Sequence, residues 1–80
     1  MITLTKLTRK KDNDPAIWVG KTVEGKHFKL KIDGGRALSL ELDGSLRFGT
    51  TVNYRKNKKL KWDNIKKDIP FVEFIGDDIK

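Results

Sequence analysis

Few residues in this chain carry catalytic chemistry. His27 is the only histidine, and cysteine is absent. A nucleophile needs a Ser, Thr or Cys beside a base, and a zinc site needs several His or Cys donors. One histidine without a cysteine meets neither requirement, so His27 reads as an exposed surface side chain. Asp12 and Asp14, two apart before Pro15, resemble the start of a cation loop, but no acid follows at the spacing such a loop needs. The glycines form neither G-x-x-x-x-G-K-[ST] nor a post-strand G-x-G-x-x-G, and Gly25, Gly34, Gly35 and Gly44 read as turn residues. Nothing singles out Glu24, Glu41 or Glu73 as half of a carboxylate pair. The expectation is a protein that is not an enzyme and holds no metal or cofactor. Lack of cysteine also removes disulfides and fits a reducing compartment.

What the chain has in quantity is positive charge. Eighteen Lys and Arg face eleven Asp and Glu, a net charge of +7 in 80 residues. Such density makes a polyanion the leading class of partner. Three basic clusters stand out: Lys6 with Arg9, Lys10 and Lys11; the strand positions His27, Lys29 and Lys31; and the run Arg55-Lys56-Asn57-Lys58-Lys59. No apolar run is long enough to span a membrane and no signal peptide opens the chain, so a cytoplasmic or nucleoid-associated protein is expected.

Turn signals recur every 8 to 12 residues, the spacing of a small all-β domain. The stretch from Ile2 to Thr8 alternates and then slips at Lys6-Leu7, which suggests a bulge. The polar segment from Arg9 to Pro15 reads as a loop. Strands over 16–23 and 26–32 flank a two-residue Glu24-Gly25 turn, although Glu suits a positive φ poorly. That register pairs Val19 with Leu30 and Ile17 with Ile32, which puts Trp18, Gly20 and Thr22 on the polar face beside Lys31, Lys29 and His27. Three-residue loops at Asp33-Gly34-Gly35 and Asp43-Gly44-Ser45 then pair Leu30 with Leu38, Leu42 with Leu46 and Leu40 with Phe48. The next strand turns Phe48, Thr50, Val52 and Tyr54 inward, and Arg47 outward with the polar face. Trp62, Ile65 and Ile69 share one face of a short helix near residues 62–69, capped by Asp63 or Asn64 and ended by Pro70. Phe71 to Ile75 reads as a closing strand, and the rest as a tail.

Residues 1–80 therefore form a single basic β domain: a five- or six-stranded antiparallel barrel or strongly curved sheet with one short helix. The fold analogy is to small OB-like or SH3-like barrels. Single-strand binders combine a positive groove with aromatic faces on which bases stack. Trp18 would be the stacking residue, with His27 a pH-sensitive contact. Lys29, Lys31, Arg47, Arg55, Lys56, Lys58 and Lys59 would hold phosphates. Single-stranded DNA or RNA is the expected ligand. The rival is an accessory or inhibitor protein that docks onto an acidic protein partner. A homodimer is compatible with both.

Overall fold

A computed structural model describes residues 1–12, 15–54 and 60–80. The described elements are β1 (Ile2–Lys11), β2 (Ala16–Thr22), β3 (His27–Asp33), β4 (Ala37–Leu42), β5 (Ser45–Thr51), α1 (Trp62–Ile65) and β6 (Val72–Phe74). They form one six-stranded sheet in the order β5-β4-β3-β2-β1-β6, curled into a half-barrel. The first five strands are a meander. β6 instead returns beside β1 in parallel, pairing Ile2 with Val72 and Leu4 with Phe74, so the sheet is mixed. A parallel return needs a crossover, and the segment containing α1 supplies it.

β1 runs to Lys11, so Arg9, Lys10 and Lys11 lie in a strand and not in the expected loop. The expected bulge is present, between Leu4 and Lys6. It sets Leu4 and Leu7, three apart, on the same inner side, where both are buried. Gly20 is required opposite it: a Cβ there would overlap the Lys6 carbonyl oxygen.

The β2–β3 register differs from expectation by one residue. Thr22 and Lys26 close a three-residue Val23-Glu24-Gly25 loop, in which the Thr22 N–H donates to the Lys26 carbonyl at 3.0 Å. The Lys26 N–H donates to Thr22 Oγ1 at 3.0 Å. Only Gly25 takes positive φ, at 87°. A two-residue loop would have forced Glu24 into the left-handed region, and the longer loop avoids that cost. The slip pairs Trp18 with Leu30, Gly20 with Phe28 and Ala16 with Ile32. Because side chains alternate, one residue of slip carries all of β2 to the other face. Trp18, assigned to the polar face from the sequence, is core and has no exposed surface.

The next two turns preserve the inner face. β3 and β4 pair Leu30 with Leu40 and Phe28 with Leu42, two residues from the expected register, so the parity stands. The β4–β5 turn is a two-residue Asp43-Gly44 loop, with both residues at positive φ (50° and 82°). It pairs Leu42 with Ser45, and a register shift after Glu41 then restores the expected Leu40–Phe48 pair. Leu46 is consequently 67% exposed and not core.

The helix is one turn, preceded by Lys61 with no side-chain cap. Further turn bonds, such as Asp68 N–H to the Ile65 carbonyl at 2.9 Å, carry the chain on to Ile69. Trp62, Ile65 and Ile69 are buried, as their spacing predicts. Trp62 meets Trp18 at 6.3 Å and Phe28 at 6.5 Å between ring centroids, which plugs the concave side. A buried Trp of 150–250 Å² contributes at most about 4–6 kcal/mol by area. The concave side therefore holds the core, and the convex side faces solvent. The expected tail is also structured: Lys80 donates to the Leu7 carbonyl at 2.9 Å and accepts from the Arg9 N–H at 3.0 Å, extending cover of the β1 edge. Among the described residues, no helix is long and apolar enough to cross a membrane.

Candidate nucleic-acid interface

Opposed residues of neighbouring antiparallel strands share a face, so the register defines the convex surface row by row. One row is Lys6, Lys21 and His27. The next is Thr8, Val19, Lys29, Glu41 and Leu46. A third is Lys11, Ile17, Lys31, Ser39 and Gly49. Five lysines and the histidine therefore sit on β1–β3, and Glu41 is the one carboxylate in the three rows. Strands lie about 4.8 Å apart and alternate residues about 6.7 Å apart, so these ammonium roots lie within about one Debye length of their nearest neighbours. Their mutual repulsion is relieved when a polyanion docks.

A shallow depression of about 560 Å³ lies at this surface, lined in part by Lys6, Thr8, Val19, Lys21, His27 and Lys29. His27 is anchored through its backbone, which donates to Asp43 Oδ1 at 2.8 Å. Lys31 Nζ approaches Asp33 Oδ2 at 3.5 Å with both side chains well exposed, a pair that holds the lysine only weakly.

The rows gather three of the expected site residues: His27, Lys29 and Lys31. Trp18 is the main correction. Its ring lies on the concave side, with the Arg9 guanidinium 4.6 Å from its centroid. That contact is a cation–π cover over the core edge. Its Nε1 is buried and has no hydrogen-bond acceptor among the described residues. A base cannot stack on a ring that is wholly covered. Arg47 is exposed but lies at the β5 register shift, beyond Glu41 and away from the lysine rows. Arg55, Lys56, Lys58 and Lys59 lie outside the described residues.

Lys6, Lys11 and Lys21 belong to the face and were not among the expected contacts. The signal for Lys21 was the alternation of β2 itself: once Trp18 is inward, Lys21 must be outward. No Trp, Tyr or Phe occurs in the three rows. Tyr54, expected to turn inward, is half-buried and donates its phenol hydrogen to Asp68 Oδ2 at 2.5 Å. Burial first, and then the Asp68 carboxylate, push the phenol well above its usual value.

Charge is unevenly spread along the chain. Residues 61–80 hold five acids against four lysines, so the positive excess arises in residues 1–60, where residues 1–54 carry ten Lys and Arg against six acids and the run 55–59 carries four more with no acid. Comparison with known proteins finds no matching family, no similar curated protein and no similar solved structure.

Proposed function

We propose that this protein binds the phosphate backbone of nucleic acid through the convex face of β1–β3, without catalysing a reaction. The observation that carries the reading is the convergence of Lys6, Lys11, Lys21, Lys29 and Lys31 on one sheet face, opposed by Glu41 and, beside Lys31, by Asp33. The mechanism is counterion release: each phosphate neutralised frees a condensed cation, and affinity falls as salt rises. Because Trp18 is buried, base stacking is not part of the mechanism, and the argument for single strands over duplex falls with it. Duplex DNA carries one charge per roughly 1.7 Å against one per 3.4 Å on a single strand, so the same lysines gain more from a duplex.

Fluorescence anisotropy with end-labelled duplex and single-stranded DNA of equal length, across a salt series, tests this. The expected slope of log K against log salt is about −0.9 per phosphate contacted on duplex. K21E/K29E should flatten that slope by about two contacts, while K66E/K67E, at the helix side, should change it little. Intrinsic Trp emission should stay unquenched. Affinity indifferent to salt would overturn the reading.

A second reading rests on Ile17 and Val19, which are half-buried among the lysines and offer apolar contact that a phosphate would not use. The same face would then dock onto an acidic protein, with the lysines steering encounter. Binding to an acidic protein that K21E/K29E weakens, with no salt-dependent DNA binding by the wild type, would favour this reading; acidic-protein binding that K21E/K29E leaves unchanged would overturn it.

A further inference from the structure

We infer that β5 is a self-association edge, on which a second copy of this chain adds antiparallel to extend the sheet. The two ends of the sheet are treated differently. At one end β6 is three residues long and is continued by the tail to Lys80, whose backbone bonds cover β1. Short strands and covering segments are common ways to close an edge. At the other end β5 is seven residues long, and among the described residues its backbone bonds only to β4. Its sequence, Ser-Leu-Arg-Phe-Gly-Thr-Thr, has no proline and a single charge, Arg47. The register shift falls at the Arg47 end and leaves Phe48 to Thr51 in regular pairing with Leu40 to Ala37. That stretch is an open, neutral template for another strand.

The occupant follows from the distribution of charge. The lysines of the convex face lie on β1–β3, whereas β4 and β5 present Ala37, Ser39, Glu41, Leu46, Gly49 and Thr51 there. A second copy joined through β5 brings together strands that carry no lysine and keeps the lysines of β1–β3 apart. A two-fold axis near Gly49 sets Phe48 against Thr50 of the other copy, an aromatic on a β-branched residue, and separates the two Arg47 side chains. An antiparallel two-fold within one sheet keeps both convex faces on the same side. The lysine clusters then form one surface, with the two β3 strands about 24 Å apart at a strand spacing of about 4.8 Å. The contact is at the small end of the interface range, below about 1,200 Å², so a concentration-dependent dimer is expected.

Sedimentation equilibrium from micromolar to millimolar protein, on the full chain, tests this. G49K places a charge beside its own copy across the axis. The substitution fits the monomer, because a Cβ there meets only the Leu38 carbonyl oxygen, at 3.7 Å. V23K adds the same charge at the distant and exposed β2–β3 turn. Wild type and V23K should dimerise with similar affinity, and G49K should weaken the dimer at least tenfold with an unchanged circular dichroism spectrum. The amides of Phe48 to Thr51 should gain exchange protection with concentration in wild type only. A wild type monomeric throughout the range, or a G49K protein that dimerises like V23K, would overturn the inference. The test needs no nucleic acid, so its outcome is independent of the proposed function.

Discussion

Trp18 links the stability of this protein to the reading of its surface. From the sequence it is a large aromatic among lysines and small residues, which suits a stacking platform. In the fold it is wholly buried, wedged against Trp62 and covered by Arg9. W18A should therefore destabilise the protein by about 3–5 kcal/mol, measured by urea unfolding, and should not act as a selective binding defect. Were W18A to fold normally and lose affinity, the face assignment of β2 would be reversed. Tyr54 makes a second prediction, in pH. Its phenol is favoured in the protonated form by burial and by Asp68. Below the free phenol value of about 10, both folded and unfolded chains hold the proton, and the full contribution is present. As pH rises past that value the unfolded chain releases its proton first, so stability declines until the folded phenol also ionises. Y54F should be less stable than wild type at pH 8, by about 1 kcal/mol for the lost hydrogen bond. It should also lose less stability between pH 8 and pH 11 in thermal melts. Parallel declines in the two proteins would show that Tyr54 carries no such linkage.

The strands explain how much could be read in advance. The meander, the bulge in β1, the inward Leu30, Leu38 and Leu40, and the Trp62–Ile65–Ile69 helix face were legible, because alternation and helical spacing are local signals. The β2–β3 register was not, because Lys21 opposite Phe28 and Gly20 opposite Phe28 both leave an apolar stripe. What decides it is the conformation of Glu24, a backbone preference that hydropathy does not report. The β4–β5 turn shows the same limit: a two-residue loop and an inward Phe48 are compatible only through a register shift, which the sequence does not mark. The ordered tail was hidden because a polar, Gly-Asp-Asp segment has no strand pattern, yet its backbone groups bond to β1. Removing residues 76–80 takes away the Lys80 bonds to Leu7 and Arg9. The Arg9 amide should then exchange at least tenfold faster in hydrogen-exchange NMR, while amides of β3 and β4 keep their rates. Unchanged protection at Arg9 would mean that the tail contributes nothing to holding the edge. Gly20 gives a complementary test: G20A must move the β1 bulge or the strand opposite, at a cost of about 1–3 kcal/mol.

At the level of the molecule, curvature and charge act together. Curling the sheet around Trp18, Trp62 and Ile65 turns one face into core and leaves the other convex, and the same alternation that sends the aromatics inward sends Lys21, Lys29 and Lys31 outward. Five of the eighteen basic side chains thus gather where β1, β2 and β3 meet solvent, while segment 61–80 is near neutral. On the proposed function this clustering marks the convex face as the one that binds, and that can be read directly. The decisive measurement is an amide NMR titration of the labelled protein with a short DNA duplex at physiological salt. The account predicts shifts concentrated at Lys6, Thr8, Val19, Lys21, Lys29 and Lys31, with the indole Nε1 signals of Trp18 and Trp62 unmoved. Shifts absent at that salt, or centred on residues 61–80 and the two indoles, would contradict it.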